Sequence, residues 1–220
     1  MATDGMRLPD ILGDDHTDLA VATLRKYFHA DPKPAFSGSR FERFAGGGDR
    51  AETANEFTAD DLVAVGLLNV NIPGTAALRI LGDHEPAYRD ELSKLLRQLP
   101  TDLALADADD QTLAIADELW TLVRVDNYRV GLTKTSKLLA RKRPHLLPVI
   151  DSVVIAEVGH KPGTHNFYRN LRAALNDNDR HLTNHLAEVR RVAGIGDDIS
   201  TIRVFDILVW MWGTKRTAAG

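Results

Sequence analysis

Apolar residues recur at helical spacing along almost the whole of this chain, and strand-like alternation is nearly absent. The spacing predicts helices over residues 17–29, 58–68, 73–82, 85–98, 110–125, 133–143, 151–158, 165–176, 180–193 and 200–212. The punctuation between them agrees. Thr58-Ala59-Asp60-Asp61 places a threonine cap, with an acid three residues on, ahead of an apolar run to Leu68. Asp31-Pro32-Lys33-Pro34 stops the first helix, because proline removes a donor and restrains the residue before it. Leu146–Ile150 is the one short stretch that reads as a strand. The expected fold is all-α: one domain over residues 1–220, of about ten helices in two lobes, with the 110–150 region lining a cleft.

Cysteine is absent, which excludes disulfide scaffolds, thiolate zinc sites, iron–sulfur clusters and thiol nucleophiles. A chain of 220 residues buries enough apolar surface to fold without such staples. Its most apolar stretch, Ile202 to Trp212, is interrupted by Arg203 and Asp206 and falls far short of the ~20 residues of a membrane span. Met1 to Leu12 lacks the basic start and apolar centre of a secretory leader. The expectation is a cytoplasmic protein with no membrane partner and no cofactor.

Charge is unevenly spread. Between Arg124 and Arg143 lie seven basic residues, Arg124, Arg129, Lys134, Lys137, Arg141, Lys142 and Arg143, against the single acid Asp126. The stretch carries +6, so the rest of a chain whose total is −4 carries −10. Such a cluster repels itself unless an anion or an acidic surface compensates it, as on a phosphate-binding face. A competing explanation is that Arg141-Lys142-Arg143 complement the dipole at a helix C-terminus, although this leaves the four earlier charges unexplained. Asn127-Tyr128-Arg129-Val130-Gly131 forms a turn between two helices, a unit that offers backbone N–H groups and a positive helix end to an anion. On a helical wheel Lys134, Lys137 and Arg141 share one face, with Leu138 and Leu139 turned inward. Asp151, after Pro148-Val149-Ile150, opens the next helix and suits an N-cap.

Gly131 to Val154 resembles the helix–hairpin–helix and following aspartate of the HhH-GPD superfamily of base-excision DNA glycosylases. The resemblance implies DNA as partner, a hairpin around Gly131 that grips the backbone, and Asp151 stabilising positive charge on a sugar. Lys134 would be the nucleophile of a lyase, with Lys137 competing for that role. The set implied to hold nucleic acid is Arg129, Gly131, Lys134, Lys137, Arg141, Lys142 and Arg143. The pattern departs from the superfamily in having Gly131 alone where a Gly-x-Gly pair is usual. A non-enzymatic module using the same basic face for nucleic acid or an acidic protein is the alternative. Over more of the chain, Arg40–Arg50, Phe57–Val65 and Lys137–Pro144 resemble an uncharacterised bacterial family, domain of unknown function 6308, which implies no activity.

Other features read as structural. Gly46-Gly47-Gly48 lacks the Lys-Ser/Thr of a nucleotide-binding loop and reads as a turn, with Arg40, Arg43 and Arg50 nearby. His181, His185 and Glu188 lie at helical spacing but offer no fourth ligand, so no metal is expected. Asn176-Asp177-Asn178-Asp179 lacks the glycine and the closing glutamate of a calcium loop. Asp206, in an apolar helix, needs a partner, and Arg203 is the nearest. Trp120, Trp210 and Trp212 are expected in the core.

Overall fold

In a computed structural model, described here for residues 6–29, 36–161 and 166–219, the chain is helical and has no strand among those residues. Nine α-helices are described: α1 Thr17–Phe28, α2 Ala59–Gly66, α3 Gly74–Ile80, α4 Pro86–Leu96, α5 Asp110–Val123, α6 Leu132–Lys142, α7 Ser152–Glu157, α8 Phe167–Ala193 and α9 Thr201–Ala219. Leu146–Ile150 is turn and irregular chain rather than a strand, and its buried side chains anchor it without a ladder. The Asp31–Pro34 break and most of the His160–Thr164 turn lie outside the described residues. No described helix is long and apolar enough to cross a membrane.

The chain falls into two compact units, one formed by residues 1–36, 105–107 and 150–220 and the other by 37–104 and 108–149. In the first, α1 packs on α8 and α9, and α7 on α9. Gly213 permits that last approach, since a β-carbon there would stand 2.6 Å from Cγ1 of Val153. Asp206 is buried, and Arg203 grips both its oxygens at 2.7 and 3.0 Å while donating to the Tyr27 hydroxyl at 3.1 Å, the pairing the sequence required. Trp210 and Trp212 are half-buried, edge-on to Phe36 and His16 respectively, whereas Trp120 in the second unit is buried. α8 breaks at 177–180, where Asn178, Asp179 and Arg180 take left-handed conformations. Arg180 there reaches Asp107 and Asn176 the carbonyl of Ala106.

In the second unit α2 and α5 pack on α6, and α4 lies against α3 and α5. The capping box at the start of α2 forms as the sequence predicts, with the Thr58 N–H donating to Oδ2 of Asp61 at 2.8 Å. Residues 41–57 form turns and the short 3₁₀ helix Phe44–Gly46 rather than an α-helix, so many of their carbonyl oxygens need donors from elsewhere. The source of those donors overturns part of the electrostatic expectation.

Candidate functional site

α6 is buried along every residue from Thr135 to Lys142, not on one face. Lys137 is 5% exposed, Arg141 2%, and Lys142 and Arg143 0%. These four side chains do not form part of a surface face. Arg141 donates to the carbonyls of Phe41, Glu42 and Phe44 at 2.5, 2.8 and 2.5 Å and meets Asp61 at 3.2 Å. Lys142 sits 2.5 Å from Asp61 and donates to the carbonyls of Gly48 and Thr53 at 2.9 and 3.1 Å. Arg143 donates to the carbonyls of Leu99, Ala54 and Lys142, each at 2.7 Å, to that of Leu96, and to Oδ1 of Asn55 at 2.8 Å. Lys137 donates to the Leu68 carbonyl at 2.8 Å.

The physical reason is donor accounting. A segment without regular structure presents carbonyls that an apolar core cannot satisfy, and guanidinium and ammonium groups supply many donors each. Burial pushes the Lys142 ammonium below the ordinary lysine value, with Asp61 pulling it back. Burial also lowers Arg143, to about 10, against the opposing charge of Asp49. The triple glycine belongs to the same assembly. Gly46 and Gly47 take φ of +81° and +94°, and the Gly48 backbone lies directly against Arg141. It is a turn, as expected, and its oxygens face cations rather than its N–H groups facing a phosphate. Arg50 braces it by donating to the carbonyls of Ala45 and Gly47 at 2.6 and 2.8 Å.

What remains outside is the hairpin between α5 and α6. Val125 and Val130 form an isolated antiparallel bridge, a short 3₁₀ turn spans Asp126–Tyr128, and Arg129 is left-handed at φ +56°. Arg124 and Arg129 are exposed, Arg124 lying 3.7 Å from Asp126. Lys134 is half-exposed and donates to the Arg129 carbonyl at 2.8 Å. Gly131 is the N-cap of α6 and provides no side-chain acceptor. No acceptor among the described residues takes the N–H groups of Leu132, Thr133 and Lys134, and the first turn holds no acid. By contrast, α2, α5 and α7 each begin under a carboxylate, from Asp61, Asp109 and Asp151. Gly131 has φ −87°, open to any residue, and a β-carbon there would meet nothing within 4 Å. Neither conformation nor packing within the chain calls for a glycine at this position.

Asp151 caps α7, its Oδ1 accepting from the N–H groups of Val153 and Val154 at 3.0 Å each, while Oδ2 has no described partner. It belongs to the first unit, whereas Lys134 and the hairpin belong to the second. His181 and His185 meet the two oxygens of Asp14 at 3.1 and 3.3 Å, and Glu188 pairs instead with Arg191. No group of three such side chains among the described residues could hold a metal ion.

Residue-type reasoning overlooked two groups. One is Asp61 as counter-charge for Arg141 and Lys142, although an acid three residues after a cap and ahead of an apolar run was visible. The other is a set around Arg79, whose guanidinium carbon lies 3.7 Å from the Tyr88 ring centre and 4.9 Å from that of Tyr128. No spacing in the sequence announces that set.

The three stretches Arg40–Arg50, Phe57–Val65 and Lys137–Pro144 thus meet in one buried assembly of cations, carbonyls and Asp61. No curated protein and no solved structure matches the chain. A family-level match runs over residues 20–213, and the chain belongs to that family of unknown function, DUF6308.

Proposed function

We propose that this is a nucleic-acid-binding protein that holds a phosphate backbone on the hairpin between α5 and α6. The observation that carries the reading is the start of α6: three uncovered N–H groups, an N-cap glycine with open space before it, and Arg129 and Lys134 alongside. Backbone donors at a positive helix end favour an anion, and a missing β-carbon lets it approach closely. The resemblance to HhH-GPD glycosylases extends the reading to base excision. In that version Asp151, oriented by its capping bonds, stabilises an oxocarbenium-like sugar through Oδ2. In a lyase version Lys134 gives up a proton to solvent, releases the Arg129 carbonyl and forms a bond from Nζ to C1′ of the sugar as the C1′–base bond breaks and the base leaves with a proton from the amine.

A second reading, a binding module without chemistry, is favoured by the completeness of Asp151's structural role as a cap. The experiment that separates the two compares intact duplex with duplex carrying an abasic-site analogue, and wild type with Asp151→Asn. Asparagine caps helices as well as aspartate, so this variant removes the charge while keeping α7 in place. Tighter binding to the analogue, with base release lost in the variant, supports the glycosylase version. Equal binding to both duplexes, unchanged in the variant, supports the module. Absence of binding at low salt overturns both as nucleic-acid readings and points instead to an acidic protein partner.

A further inference from the structure

The hairpin is held from three sides, and two of the holds come from side chains outside it. At the end of α5, the Tyr88 hydroxyl donates to the Leu122 carbonyl at 2.9 Å. At the tip, the Tyr128 hydroxyl donates to Oε1 of Glu85 at 3.3 Å. Oε2 of the same carboxylate accepts from Nε of Arg79 at 2.9 Å, and the Arg79 guanidinium contacts the rings of both tyrosines. On the α6 side, Lys134 closes onto the Arg129 carbonyl.

The geometry points to Glu85, with Arg79 and Tyr128, as a positioning set that fixes the hairpin in its phosphate-binding conformation, an inference that rests on the nucleic-acid reading above. Among the described residues the Glu85 side chain bonds Arg79 and Tyr128 and makes no hydrogen bond to the hairpin backbone, so it acts through those two side chains. The Arg79 hydrogen bond holds the Glu85 carboxyl below its ordinary range, with Tyr128 adding to the effect, so the acid stays ionised and both bonds persist at neutral pH. A tip whose Tyr128 is held by the Glu85 carboxylate and the Arg79 guanidinium binds without first losing the entropy of ordering a loop.

The sign of one substitution separates positioning from bystander electrostatics. Glu85 is an acid beside a surface proposed to bind a polyanion, so taking its charge away should tighten binding if it has no other role. Positioning predicts the reverse. The experiment measures duplex DNA binding by the full chain across a salt series, for wild type, Glu85→Gln and Tyr128→Phe. The expected result is a loss of about fivefold for each variant. The slope of log affinity against log salt should stay unchanged, because the phosphate contacts remain the same in number. Amide hydrogen exchange at Arg129, Val130 and Gly131 should rise in both variants while exchange in α5 and α6 is retained.

Binding by Glu85→Gln as tight as or tighter than wild type, or unaltered exchange in the turn, overturns the positioning role while leaving the nucleic-acid reading intact. A wild-type protein that binds no duplex overturns that reading, and this inference with it.

Discussion

The backbone of Gly48 rests on Arg141 so closely that a β-carbon there would stand 2.3 Å from the Arg141 carbonyl oxygen and 2.7 Å from its Cγ. Arg141 has no room to yield, because its guanidinium is fixed by three carbonyls and by Asp61. Gly48→Ala should therefore cost about 2–3 kcal/mol of stability through overpacking. A urea denaturation midpoint that matches wild type would refute this contact.

Asp61 contacts both Arg141 and Lys142. Asp61→Asn retains a capping side chain but strips the counter-charge from two buried cations, at a cost of about 3–5 kcal/mol. Thr58→Ala, which removes only the cap hydroxyl, should cost about 1 kcal/mol. The ordering of the two unfolding free energies is the check, and equal values would mean that the ion pairs contribute little.

The helices were legible because apolar residues at 3.6-residue spacing, the Thr58–Asp61 box and the Asp151 cap are local signals. The break in α8 was legible in the same way, as two periodic runs separated at Asn176–Asp179. The burial of Arg141, Lys142 and Arg143 was not legible, because charge type says nothing about which backbone will need donors. The clue lay about ninety residues upstream, in a segment of turns whose own N–H groups satisfy only some of its carbonyls. The turn between α5 and α6 that carries Arg129, Gly131 and Lys134 was legible as a glycine-containing break between two periodic runs. The set that braces it, Arg79, Glu85 and Tyr128, depends on how α3 and α4 meet the turn, which no local pattern encodes.

Tyr88 offers a pH test of that brace. Burial pushes its phenol up to about 12, with Arg79 opposing. The unfolded chain ionises this phenol near the ordinary value of 10.0 and the folded chain near 12, so stability falls as pH rises through that window and is unaffected by this group below it. Absorbance titration of the four tyrosines should show a late-ionising phenol that disappears in Tyr88→Phe. A wild-type curve that completes near the ordinary tyrosine value would contradict the packing at Leu122.

Gly131→Ala separates fold from function. The backbone there tolerates any residue and a β-carbon meets nothing, so stability should stay within about 1 kcal/mol of wild type, the difference between glycine and alanine as caps. Duplex affinity should fall about tenfold as the methyl group blocks approach to the N–H groups of α6. Unchanged affinity would remove the start of α6 from the proposed site.

Lys137, Arg141, Lys142 and Arg143 are engaged inside the protein, and the proposed site leaves Arg124, Arg129 and Lys134 to meet phosphate. The most direct test is the salt dependence of duplex binding. Three contacts predict a slope of log affinity against log salt of about −2.7, shifting by about one unit toward zero in each of Arg129→Ala and Lys134→Ala. A slope near −6, as seven contacts would give, or slopes unmoved by both substitutions, would contradict that division.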